Sequence, residues 1–255
     1  MQAIASITKY TLKQHLRSRI YLVAFLFGVL LLMAGLVFSS LAVEQRQRVT
    51  VDFGFAAIEM LALLFVLFSS VNLILEEIET KTVALVLSHP IQRWEYIIGR
   101  FLGLTLSTAV IIAIMGIAHI LLLSLVGVHW QNKYIVSLFF SFIKVLLAGG
   151  IGIFFSVFSS SGVVAFTFTV VFWIMGHFSS ELRFLAYRTG NIALKHFSLL
   201  IYYILPKLDK FSYRDLIWVP HAPHLEWFLW IVVYTCIYIF GCLFLTHLLF
   251  TWKEF

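Results

Sequence analysis

The chain has 255 residues, 62% of them hydrophobic and only 12% charged, with a mean hydropathy of +1.00. Soluble domains carry about 25% charged residues, so the composition excludes an ordinary water-soluble protein. The net charge of +6 does not indicate nucleic acid, because the basic residues cluster at the ends of apolar runs, where membrane topology and anionic headgroups call for them.

Residues 1–19 place Ile4, Ile7, Leu12 and Leu16 near one helical face and Lys9, Lys13 and Arg17 on another. That pattern predicts an interfacial helix lying along the membrane; the plainer alternative is a charged start that only sets topology. The long apolar run after this polar opening does not fit a cleavable signal peptide. Six spans are expected at about 20–43, 53–75, 101–128, 134–158, 163–178 and 227–250, each long enough to cross lipid. Helices satisfy their own backbone in lipid, and the alternating pattern of a membrane barrel is absent. The fold class is therefore an all-α polytopic membrane protein, with one transmembrane domain over 1–255. Only Ser159 to Gly162 separate the fourth and fifth spans, which predicts a tight helical hairpin.

Lys and Arg in the short loops set the orientation. Lys9, Lys13, Arg17 and Arg19 precede the first span, and Lys81, Arg93 and Arg100 lie between the second and third. The alternate loops carry only Arg46, Arg48 and Lys133. Both termini are expected in the cytoplasm, with a large extracytoplasmic loop over 179–226. That loop holds six basic residues and departs from the simple count, as long loops do.

The polar segment 76–100 stands between two apolar spans. The second span stops at Glu76, Glu77 and Glu79, and a short stretch with Val83, Val86 and Leu87 on one side follows. Pro90 ends it, since proline removes a donor and restricts the residue before it. The chain restarts through Arg93, Trp94 and Glu95. The plain reading is a positive-inside loop with a turn. The richer one is a cytoplasmic helix-turn-helix small enough to dock in a cleft of another protein.

The order of Glu-rich helix end, Thr82, Leu85, Leu87, Pro90, Arg93, Glu95, Gly99 and Arg100 resembles permease subunits of type-2 ABC transporters. It is most similar to the six-span permeases of nitrous-oxide-reductase maturation and gliding-motility export. Lys81 stands where that family commonly has glycine. The resemblance implies that 76–100 is a coupling segment, with Glu76, Glu77, Glu79, Thr82, Val83, Val86, Leu87, Pro90, Arg93 and Glu95 engaging the ATPase. It further implies two ABC ATPase (nucleotide-binding) subunits, a second copy of the chain or a paralogous permease, export, and a bacterial cytoplasmic (inner) membrane. The chain itself has no G-x-x-x-x-G-K-[ST] phosphate loop. It is expected to be no enzyme and to hold no cofactor, with ATP and Mg bound by the partner. The rival is an ATP-independent channel or secondary transporter, which should show interrupted spans in matched halves.

Glu59 and Lys144 are the acid and base well inside spans, where charge is a functional signal. Counted from the outer span ends, their depths differ by roughly 6 Å, so a pair is possible. Lining a pathway or locking a gate, and a merely structural or snorkelling role, both stay open. Asn72 is a further pathway candidate, although with Ser69 and Ser70 it also suits hydrogen bonding between helices. Gly149, Gly150 and Gly152 suit close packing, and His119, His177 and His247 suit packing rather than ligation. Cys236 and Cys242 share one apolar run and suit packing positions. Phe197, Leu200, Ile201, Ile204 and Leu205 predict an amphipathic or partly re-entrant helix ended by Pro206. His221, His224 and Glu226 have only loose metal-ligand spacing, so no metal is expected. Ser161 and His177 are a faint protease-like pair without the wider signature.

Overall fold

A computed structural model describes residues 2–41, 45–80, 91–127, 132–212 and 225–252. Among them all regular structure is helical: α1 (Gln2–Leu16), α2 (Arg19–Leu41), α3 (Arg46–Glu79), α4 (Arg93–Leu125), α5 (Asn132–Phe158), α6 (Gly162–His177), α7 (Ser179–Arg188), α8 (Ile192–Ile204) and α9 (Leu225–Trp252), with a 3-10 turn at Leu208–Phe211. Four stretches, 46–78, 93–125, 133–158 and 226–252, are long and apolar enough to cross a membrane. The pair α6 and α7, bent by 63°, makes a fifth if taken as one span. α2 adds 23 residues, with Arg19 as its one charged residue.

α3 is the centre of the bundle. Its Ile58, Leu61, Ala62, Phe65 and Val66 are buried with Leu104 of α4 and Val145, Leu147 and Ala148 of α5. A Cβ at Gly152 would lie 2.1 Å from Ser70 Oγ, so α3 and α5 meet there at a distance only glycine allows. Ser70 spends its own hydroxyl on the Leu67 carbonyl, so its contribution is shape rather than the interhelical bond expected of it. The α5–α6 hairpin closes as the spacing predicts, with the Ser159 hydroxyl accepting from Ser161 N and donating to Ser161 O. α2 and α9 leave Leu26, Leu30, Met33, Ile237, Phe240 and Phe244 exposed, as helices facing lipid do.

Several expectations change. α1 forms, but its buried stripe is Ile7, Thr11 and His15; Leu16 is exposed. The reason is that α1 packs against another helix, α4, and a helix pair selects small and polar groups that an interface with lipid would not. α3 continues through Glu79 rather than stopping at residue 75, and α4 begins at Arg93 rather than at 101. Polar turns extend a transmembrane helix readily when their side chains find partners, and here they do. The serine and histidine of the protease-like pair sit at opposite ends of α6, roughly 24 Å apart along the axis, which excludes joint chemistry. α8 forms and ends before Pro206, but Phe197, Leu200 and Ile204 point outward while Leu205 is buried.

Candidate functional site

Arg100 lies two turns into α4 and is 2% exposed. A loop-edge arginine was expected to sit in water and set topology. It is instead buried because α1, α3 and its own helix α4 converge on it. Its guanidinium pairs with Glu77 near the end of α3 and donates to Thr11 Oγ1 (3.1 Å) and Gln14 Oε1 (3.2 Å) of α1. The rings of Tyr10 and Tyr96 each lie 5.4 Å from it, within reach for cation–π attraction. Tyr96 donates its hydroxyl to Glu77 and stacks on Phe250 of α9, centroids 5.7 Å apart.

The backbone permits this convergence through glycine. A Cβ at Gly99 would sit 2.8 Å from Ile7 Cβ, and one at Gly103 2.4 Å from Thr11 Cβ. Gly99 and Gly103 form a G-x-x-x-G step, which lets helices approach closely, and Thr8 Oγ1 uses the gap to donate to the Gly99 carbonyl. A turn further on, His15 Nδ1 is 3.0 Å from Ser107 Oγ. Burial, and then the Arg100 charge, push His15 down to about 4, so it is neutral at physiological pH.

Arg93 and Glu95 work close by. Arg93 donates to the carbonyls of Phe250 (2.8 Å) and Thr251 (3.0 Å), capping the last turn of α9, where a cation suits the carbonyl end of a helix. Glu95 accepts from Gln92 N at 3.2 Å and so caps the start of its own helix.

The second buried charge pair lies deeper. Lys144 Nζ is 2.6 Å from Glu59 Oε1, joining α5 to α3. Ser141 Oγ reaches Glu59 at 3.5 Å, and Trp173 of α6 lies 5.6 Å from the ammonium. Asn72 and Glu76 are exposed on α3 and line a cleft of about 610 Å³ against α6, with Phe68, Leu75, Gly162 and Phe166.

Residues 5–189, from α1 through α7, match the family described as ABC-2 family transporter protein. The chain belongs to the ABC-2 transporter family. No curated protein matches it in a sequence comparison. As an ABC-2 family member it is the membrane component of an ABC transporter, and the family domain is not itself catalytic.

In this ABC-2 subunit the coupling residues expected from sequence divide into groups. Thr82, Val83, Val86, Leu87 and Pro90 lie outside the described residues. Glu76 lines the α3–α6 cleft, Glu77 is bound into the Arg100 cluster, and Glu79 closes α3. Arg93 and Glu95, expected to engage the ATPase, also make contacts within the chain. Arg100, Tyr96, Thr11 and Gln14 were missed as a group. The signal for them was present in Gly99-x-x-x-Gly103, set between an arginine and a helix with Thr11 on one stripe. His119, expected to serve packing, is buried edge-on to Phe55 at 5.5 Å. Among the described residues, no group of His, Cys, Asp or Glu is placed to hold a metal.

Proposed function

We propose that this ABC-2 subunit is a six-span exporter permease, one domain over 1–255, that works as a pair and is driven by two separate ATPase subunits binding ATP and Mg. In this reading α2 and the bent α6–α7 unit complete the six spans. Both termini face the cytoplasm of a bacterial inner membrane, and 76–100 docks on the ATPase. The observation that carries the reading is the Arg100 cluster. It fixes α1, the end of α3, the start of α4 and the end of α9 to one another, and these ends of α3 and α4 are the ones that flank 81–90 in the sequence. A push delivered to 81–90 would therefore move four helices together instead of bending one loop. The exposed cleft with Asn72 and Glu76 supplies a polar face that a second copy could complete into a path, with Glu59–Lys144 as a gate deeper in the bundle.

The test is purification of the tagged chain from its native membrane, with ATPase recovery measured by quantitative mass spectrometry. A stoichiometric ATPase is expected with the natural chain. Val86→Asp with Leu87→Asp should lower its recovery about tenfold or more, because disrupting a central docking residue costs about 2 kcal/mol or more. Insertion into the membrane should be unchanged. Full ATPase recovery with the double variant would overturn the docking role. Transport by the chain alone in proteoliposomes would restore the ATP-independent reading.

A further inference from the structure

At the end of α6 remote from Arg100, the chain bends into α7 and returns through α8 and the 3-10 turn. This corner is tightly built. A Cβ at Gly176 would lie 2.8 Å from the Pro206 carbonyl, Tyr234 Oη accepts from Lys207 N at 3.1 Å, and Tyr238 donates to the Ile204 carbonyl at 3.0 Å. The Ser179 and Ser180 hydroxyls both donate to Asp209, which locks the turn against the first residues of α7.

The result is a groove of about 280 Å³ lined by Ser180, Arg183, Tyr187, Tyr202, Lys207 and Lys210, among others. Three cations face one carboxylate, Asp209, and that carboxylate is already held by two hydroxyls and by Lys210 at 3.7 Å. Among the described residues, no carboxylate is within ion-pair distance of Arg183 or Lys207. Their contacts are aromatic: the Arg183 guanidinium lies 5.8 Å from the Tyr202 ring and 6.0 Å from Tyr187, and Lys207 Nζ lies 4.9 Å from Tyr202. Aromatic faces orient a cation, and the Tyr202 and Tyr187 hydroxyls also accept from Arg183.

We infer that this groove binds the phosphate of an anionic phospholipid headgroup. A guanidinium and an ammonium with no described carboxylate in ion-pair reach, beside a second ammonium shared with Asp209, are a donor set a phosphate selects. The groove lies just below the range of drug-sized ligand sites, about 300 to 1,000 Å³, so it fits a headgroup rather than a whole amphiphile. The rim supplies the place for acyl chains. Phe184, Leu185, Ile192, Phe197 and Leu200 are all more than half exposed on α7 and α8. The site does not depend on the ATPase reading, and it extends past residue 189, where the family match stops.

The test uses the full chain in neutral detergent with equimolar phosphatidylglycerol and phosphatidylcholine, and reads retained lipid by native mass spectrometry. The natural chain should retain phosphatidylglycerol over phosphatidylcholine by about tenfold or more, the scale expected for two basic residues at a headgroup. Arg183→Gln with Lys207→Gln should bring the ratio near unity at unchanged thermal stability, and Arg183→Lys should restore part of it. Arg46→Gln with Arg48→Gln, which removes the same charge elsewhere, should leave the ratio as it was. Displacement of the lipid by excess inorganic phosphate would assign the site to phosphate from either source, and no displacement would assign it to the membrane-held headgroup. Equal retention by the Arg183/Lys207 variant, or an equal loss in the Arg46/Arg48 variant, would overturn the site.

Discussion

Arg100 and Lys144 are both cations buried within the helix bundle, at 2% and 6% exposure, but they are held in different ways. Arg100 spreads its charge over Glu77, Thr11, Gln14 and two tyrosine rings contributed by α1, α3 and α4. Lys144 has one carboxylate, Glu59, and the face of Trp173. The planar guanidinium has donors in fixed directions and can tie several elements at once, whereas an ammonium is a compact point charge that one partner can satisfy. Glu59 also keeps 23% of its side chain exposed, so it can take up water if the lysine leaves. The first arrangement is an anchor whose parts move only together. In the proposed function the second is a latch, held by a single ion pair.

The largest effect should come from Arg100→Met. It leaves Glu77 without its cation and two α1 acceptors without a donor, so the expected loss is about 3–5 kcal/mol, as for breaking one side of a buried pair. Thermal unfolding in detergent reads it. Lys144→Met should cost less, about 1–2 kcal/mol, and the exchange Glu59→Lys with Lys144→Glu should regain at least half of any lost stability or transport. If Lys144→Met proves as costly as Arg100→Met, the contrast between anchor and latch fails.

The smallest effect concerns pH and sharpens the description of the anchor. His15, with its folded value near 4 against an ordinary 6.5, is held neutral beside Arg100. The unfolded chain binds the proton more readily between these values, so stability from this group is complete above pH 6.5 and is lost as pH falls toward 4. His15→Gln should therefore flatten the decline in melting temperature between pH 7 and pH 4.5. A parallel decline in both proteins would show that the histidine is not part of the cluster's balance.

Much of this fold is legible in hydropathy alone. The apolar runs at 53–75, 134–158 and 227–250 correspond to α3, α5 and α9, since a backbone in lipid has few alternatives to helix. The hairpin at Ser159 to Gly162 and the helix before Pro206 were equally plain. Arg100 was not, because a basic residue at a span edge looks the same whether it faces water or a distant acid. Its partners Thr11 and Gln14 lie 89 and 86 residues away, and no local period reports that distance. The contacts of Arg93 and Glu95 within the chain were hidden for a related reason. Their charge announced a contact, but the Arg93 contact depends on where α9 ends, 157 residues downstream, and Glu95 turns back on its own helix start. The pairing of Glu59 with Lys144 was a matter of counting depth, and that count was good enough to bring them together.

The long reach of these bonds also bears on how the protein is made. α1 leaves the ribosome well before α4 exists, and Arg93 must wait for Phe250, 157 residues downstream. Arg100 finds its acceptors Glu77, Thr11 and Gln14 on chain already made, whereas Arg93 and Tyr96 lack their α9 partners until the last helix arrives. Assembly at this point is thus a late event that tests the whole polypeptide. A copy whose α9 has failed to insert leaves Tyr96 and Arg93 uncovered, which a membrane protease could recognise as unfinished.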